Sequence, residues 1–274
     1  VRPLYGNGLC AKDVNVSNQV DHPAQVAICI PSGRTWEADA AIRLVAVAAR
    51  AVSQGIRTIT INEKNSVISF CRNSMAEVAL SMGATHIMWV DSDNIPPVDI
   101  IKRFLDLDKD IVGGVYCKRV PPYELLGVPM APVDFTAGGV VPYWLLPGGC
   151  IMVKAKVYNS IPKPWYFESI RREGLPFEAF ISTLEDHFRS KVPDELIRIL
   201  GEEDSLQHWL RQEEEENKVK YGDSVNTGED TNFCLKAHRH GFEIWCDIDS
   251  SYGIGHIGEQ TIYPGKPEEN SGNS

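Results

Sequence analysis

Ile87-Met88-Trp89-Val90-Asp91-Ser92-Asp93-Asn94 is an apolar run that stops abruptly in two carboxylates one residue apart. Such a strand buries its backbone and leaves Asp91 and Asp93 at its rim, where desolvating both charges is tolerable only beside a cation. A divalent metal is the economical answer. Mg2+ and Mn2+ take oxygen ligands and are commonly held by one or two carboxylates together with substrate phosphates. The plainer alternative is an Asp-rich loop that caps the helix after it.

The segments before the run place it in a fold. Gln25 to Ile30 is a short apolar strand closed by the turn residues Pro31, Ser32 and Gly33. From Ala38 to Ser53 apolar residues recur at helical spacing through Ile42, Val45 and Ala49, with Gly55 where a C-terminal glycine belongs. Thr58 to Ile61 reads as a strand, Ser66 to Met82 as a helix and Thr85 to Val90 as a third strand. This alternation predicts an α/β fold with a parallel sheet between helices, whose ligands gather outside the carboxyl ends of the strands. Asp91 and Asp93 sit at one such end.

Downstream, a helix is expected from about Val98 to Leu107 and a strand from Asp110 to Cys117. Gly138 to Pro142, Tyr143 to Leu146 and Cys150 to Val153 read as short strands of a mixed sheet. A helix from Asp230 to His240 and a strand from Glu243 to Cys246 follow.

Composition narrows the function. The 274 residues are 43% hydrophobic, enough for a substantial core. A net charge of -10 argues against a protein that binds by neutralising nucleic-acid phosphates. The window Trp165 to Asn226 holds 15 acidic and 8 basic side chains and so supplies -7 of that charge. It reads as a solvated helical insertion, with Glu214–Lys218 and Glu216–Lys220 as i,i+4 pairs. Its aromatic residues Trp165, Tyr166, Phe167 and Trp209 suggest an acceptor platform or a homo-oligomer contact, against the simpler packing of an amphipathic helix pair. Seven scattered cysteines without a CxxC pair, no run long and apolar enough to cross a bilayer and no basic-then-apolar leader in residues 1 to 25 predict a cytoplasmic location.

Three further constellations carry candidate chemistry. Gly228-Glu229-Asp230 opens a helix, whose dipole favours an ionised carboxylate; Asp230 is either a base for a hydroxyl or a cap. Gly253-Ile254-Gly255-His256-Ile257-Gly258 flanks a histidine with glycines, and a neutral imidazole is a common metal ligand. Pro147-Gly148-Gly149-Cys150 admits a ligand close to the main chain, or simply turns.

In this order, a DxD pair, a glycine-rich loop, a Glu-Asp helix start and a C-terminal histidine resemble the GT-A glycosyltransferases, in particular the family 2-like enzymes. Cys71-Arg72-Asn73 is similar to that family's Arg-Asn element. The resemblance implies a Rossmann-like nucleotide-diphospho-sugar transferase fold with a central mixed, mostly parallel sheet. Residues 1–24 would be an extension, 25–262 the catalytic domain with the acidic insertion at about 165–226, and 263–274 a disordered tail. It also implies roles. Asp93, Asp91 and His256 would hold Mn2+ or Mg2+ with the donor diphosphate. Pro31, Ser32, Arg34 and Glu63 would line the nucleoside pocket, with Asp91 and Ser92 beside the ribose. Arg72 would lie near the diphosphate, and Gly148 and Gly149 would border the sugar. Glu229 and Asp230 would face the acceptor hydroxyl, Asp230 as base if the enzyme inverts.

The expected partners are a nucleotide-sugar donor, UDP-linked in preference to GDP-mannose, and a carbohydrate or other hydroxyl acceptor. The rivals are a sugar nucleotidyltransferase, for which Pro31-Ser32-Gly33-Arg34 is a poor triphosphate loop, and a non-catalytic sugar-nucleotide or glycan-binding module.

Overall fold

The computed structural model describes residues 24–171, 225–258 and 261–265. Strand β1 (Gln25–Ser32), helix α1 (Ala38–Ser53), β2 (Arg57–Lys64), α2 (Ile68–Ser81) and β3 (His86–Val90) follow one another as the sequence predicts. The short β4 (Asn94–Ile95), α3 (Ile100–Leu107), β5 (Ile111–Gly113), β6 (Val128–Pro129), β7 (Val140–Leu145), β8 (Cys150–Lys154) and α4 (Ala155–Ser160) come next. Then follow β9 (Ser169–Arg171), β10 (Val225–Thr227), α5 (Glu229–Arg239), β11 (Ile244–Asp247), α6 (Ile248–Ser251), β12 (Gly255–Ile257) and β13 (Thr261–Ile262).

The central sheet runs β2-β1-β3-β8-β5-β11-β7-β6. It is mixed: β2, β1 and β3 pair in parallel, as do β5 and β11, while β8 lies antiparallel between β3 and β5, and β7 lies antiparallel beside β11. From β1 the chain crosses to β2 on one side and then returns past β1 to β3 on the other. The carboxyl ends of β1 and β3 therefore flank a switch point, where the diverging connections leave a crevice. Period-two alternation divides the strands between two cores. Ala27, Cys29, Ile87 and Trp89 face the side covered by α2. Val26, Ile28, Met88 and Val90 face α1 and α3. The cysteines of this core are free and buried, and burial pushes the thiols of Cys29, Cys234 and Cys246 up to about 12, so they pack as small apolar groups.

Several expectations need correction. The stripe Ile42, Val45 and Ala49, from which the helix is read, faces solvent, with Ile42 71% and Val45 70% exposed. α1 is apolar on two faces, and the sheet takes the other one, Ala40, Leu44, Val47 and Ala51. The strand expected to Cys117 stops at Gly113, because beyond it the Val115 N–H turns to the Ser251 hydroxyl. The two strands expected around Pro142 are one: Pro142 stays in register with Trp245, and its carbonyl accepts the Met130 N–H. Trp165 and Tyr166, read as the edge of a platform, are buried against Tyr158 and Phe233. The interior of the acidic insertion, 172–224 with Trp209, lies outside the described residues, as do 1–23, 259–260 and 266–274. Among the described residues no helix is long and apolar enough to cross a membrane.

The two faces of α1 separate in a mutational test. Leu44→Ala should cost about 2–5 kcal/mol of unfolding free energy, because it leaves a cavity. Ile42→Ala should stay within about 0.5 kcal/mol. Urea unfolding of the two variants measures both.

Candidate active site

Four elements meet at the carboxyl edge of the sheet around one guanidinium. Arg72, on α2, is 1% exposed. Its Nε donates to Glu229 Oε1 at 3.1 Å, its Nη1 to the Gly148 carbonyl at 3.3 Å and its Nη2 to Asp91 Oδ1 at 2.9 Å. Behind it the rings of Trp89 and Tyr166 lie 5.2 and 5.9 Å from the guanidinium carbon, within reach of a cation–π attraction. Trp89 and Tyr166 are themselves pinned through the Tyr158 hydroxyl, at 2.7 and 2.8 Å. Asn73 clamps the main chain of Trp165 and Tyr166 onto α2. Burial alone would push the Arg72 guanidinium down, but the charges of Asp91, Glu229 and Asp230 outweigh this and raise it. Arg72 is thus permanently charged and fully engaged.

The carboxylates around it are not equivalent. Burial raises the Asp91 carboxyl above its ordinary value; Arg72 offsets part of this, while Asp93 and Asp230 add to it. Asp230 is raised by burial and by the neighbouring Glu229 charge, against the pull of Arg72. Asp230 accepts the Gly148 N–H at 3.3 Å and the N–H of Thr231 at 2.7 Å at the start of α5. A small cavity, about one water in size, opens between Arg72, Gly148, Tyr166 and Asp230.

A second cluster forms on the solvent side of Asp91. β12 pairs with β4, which sets His256 opposite Asn94, and the Ile257 N–H binds the Asp93 carbonyl at 2.9 Å. His256 Nδ1 lies 2.8 Å from the Cys117 carbonyl. A carbonyl only accepts, so Nδ1 carries a proton and the ring turns its Nε2 edge away from Cys117. Nε2 faces Asp93 Oδ2 at 3.7 Å, at the distance of an ion pair rather than of a direct hydrogen bond. Burial would raise the Asp93 carboxyl, but His256 and Arg119 outweigh it and hold it below its ordinary value. Arg119 Nη1 reaches the same Oδ2 at 2.7 Å.

The glycine pair closes the space between the clusters. A side chain on Gly148 would strike the Arg72 guanidinium, and one on Gly149 would strike Asn94, Tyr116 and Asp91. Tyr116 Oη accepts the Gly149 N–H at 3.0 Å, and its ring packs edge-on to His256. Asn94 is fully buried, yet neither its Oδ1 nor its Nδ2 has a hydrogen-bond partner among the described residues.

The structure therefore brings together Arg72, Asp91, Asp93, Gly148, Gly149, Glu229, Asp230 and His256. Of the three expected metal ligands, Asp93 and His256 face one another, whereas Asp91 Oδ1 is taken by Arg72; the described residues hold no group of three or more His, Cys, Asp or Glu side chains placed to bind a metal ion. Arg72, expected beside a diphosphate, is instead sealed beneath the carboxylates. Pro31 and Glu63 stand side by side at the ends of β1 and β2, and the Ser32 hydroxyl accepts from Asn62 at 2.8 Å. The Ser92 carbonyl accepts the Glu37 N–H, bringing the loop after β1 over the DxD turn. Arg34 is exposed on that loop. Sequence reasoning missed Arg119, Tyr116 and Asn94. For Tyr116 a signal existed, since the strand expected from Asp110 to Cys117 ends at this same rim.

Two substitutions test the electrostatics. Arg72→Met strands the Asp91 and Glu229 carboxylates that it bonds, with Asp230 beside them, and should cost about 3–5 kcal/mol in chemical denaturation. Asn94→Leu removes an amide with no partner among the described residues, so its thermal midpoint should be unchanged or higher, where loss of a bonded buried amide lowers it.

No protein-family model matches the chain, and no curated protein matches it in sequence. Among solved structures, A197 from STIV is 15% identical over 52% of this chain and 71% of its own, with a TM-score of 0.36. The glycosyltransferase GlyE of Streptococcus pneumoniae TIGR4 in its apo form is 12% identical over 70% of this chain and 44% of its own, at a TM-score of 0.26. A second GlyE structure is 14% identical over 72% and 50%, at 0.25. The matches to GlyE thus take in half of that protein's length or less. Likenesses at these scores carry no argument about activity, and the functional reading rests on the geometry of the site itself.

Proposed function

We propose that the chain is a metal-dependent glycosyltransferase of the GT-A type, which moves a sugar from a nucleotide-sugar donor, UDP-linked in preference to GDP-mannose, to a hydroxyl acceptor. The observation that carries this reading is the pairing of Asp93 and His256 Nε2 across 3.7 Å, with the histidine tautomer fixed by the Cys117 carbonyl. A ring proton given to a carbonyl, with the other nitrogen free, is how metal-ligating histidines are oriented. With Nε2 unprotonated, the imidazole and the Asp93 carboxylate would hold Mn2+ or Mg2+, with donor oxygens completing the shell. Bound there, the ion would neutralise negative charge growing on the departing diphosphate.

The other residues divide the remaining work. Pro31, Ser32 and Glu63, at the ends of β1 and β2, line the crevice where a nucleoside would lie, with Ser92 at its edge. Gly148 and Gly149 let a sugar approach the main chain. Glu229 is committed to Arg72, which makes it a positioning residue. Asp230 is the candidate base: it lies beside the small cavity, and a carboxyl raised above its ordinary value is better matched to taking a proton near neutrality.

Calorimetric titration of UDP and of GDP, each with Mn2+ and with chelator, tests the reading. The expected result is metal-dependent binding of UDP, weakened about tenfold or more in Asp93→Ala. Equal affinity in chelator, or no binding of either nucleotide, would overturn it.

A further inference from the structure

Asp93 already carries a cation. Its Oδ2 receives Arg119 Nη1 at 2.7 Å, and this is the oxygen that faces His256 Nε2. Arg119 follows Cys117, whose carbonyl fixes the histidine, and lies in the loop between β5 and β6. That loop is tied at its base: Cys117 bridges to Leu125, the Lys118 N–H reaches the Glu124 carbonyl at 2.8 Å and the Leu126 N–H reaches the Tyr116 carbonyl at 2.9 Å. The Arg119 main chain is also packed against Gly258, where an added Cβ would lie 2.9 Å from the Arg119 carbonyl oxygen. The side chain, by contrast, is 56% exposed. A fixed backbone thus bears a long cationic side chain whose far end sits on the carboxylate at the solvent edge of the site.

Charge makes this placement consequential. Asp91, Asp93, Glu229 and Asp230 crowd one rim; Arg72 is spent on Asp91, Glu229 and the Gly148 carbonyl, and Arg119 reaches Asp93 from the solvent side. A divalent ion between Asp93 and His256 would need the oxygen that Arg119 holds. The two cations compete for one ligand atom, and an exposed ion pair is weak enough to be exchanged. Once displaced, a guanidinium anchored beside the metal is within a side chain's length of the phosphates that complete the shell, and guanidinium binds phosphate with two parallel hydrogen bonds.

Building on the metal-dependent reading, we propose that Arg119 is an exchangeable counter-cation. It pairs with Asp93 before the divalent ion binds, yields that oxygen to the ion and turns onto the diphosphate of the donor. Metal and nucleotide then bind cooperatively, because the nucleotide provides the new partner for the displaced side chain.

The test is Mn2+ titration followed by electron paramagnetic resonance of free Mn2+, with and without UDP, on the wild type, Arg119→Ala, Arg119→Lys and Asp93→Asn. Arg119→Ala should bind Mn2+ alone about three- to fivefold more tightly, since its competitor is gone. The same variant should bind UDP in saturating Mn2+ about tenfold more weakly. Arg119→Lys should fall between it and the wild type in both. Unchanged constants in Arg119→Ala, or a shift of both in one direction, would overturn the exchange while Asp93→Asn still abolishes Mn2+ binding and upholds the metal site. Mn2+ binding that survives Asp93→Asn would overturn the metal site, and the exchange with it.

Discussion

The buried Arg72 guanidinium is the fixed point of the site, because each of its hydrogen bonds ends on a different part of the chain. Asp91 comes from the end of β3, the Gly148 carbonyl from the turn between β7 and β8, and Glu229 from the start of α5. A guanidinium suits this task because its donors form a rigid planar fork, which a flexible ammonium could not reproduce. Its desolvation is tolerable only with every donor matched and ring faces behind it. The aromatic wall of Trp89, Tyr158 and Tyr166, with Asn73 fastening the last of these, is therefore part of the electrostatics as well as of the core. A positive charge that never leaves allows four carboxyl groups to stand near one another without further buried cations.

What the sequence made legible follows from how local each signal is. The β3 run and its two aspartates, the Glu-Asp helix start and the glycine-flanked histidine are patterns contained in a few residues, and each lands at the same rim. Helix α1 shows where local pattern is ambiguous. Ile42, Val45 and Ala49 repeat as regularly as Leu44, Val47 and Ala51, and only the position of the sheet chooses between them. Arg119 was beyond reach for a different reason: nothing near it in sequence marks it, and its meeting with Asp93 depends on where the loop after β5 is tied down. Asn94 was hidden by its neighbours, since an asparagine after two aspartates reads as loop polarity until its burial is known.

The small sheet β13-β12-β4 has a consequence for how the protein is made. Asp93 and the residues of β3 leave the ribosome early, whereas His256 is among the last described residues to emerge. A nascent chain that has completed β1 to β5 displays Asp91 and Asp93 without Glu229, Asp230 or His256. His256 reaches Asp93 only when β12 pairs with β4, a contact between residues far apart in sequence, of the kind that forms late because loop closure must precede it. The meeting of Asp93 with His256 is thereby deferred to a late stage of folding, and a chain stalled before Gly255 would carry the carboxylates without the imidazole.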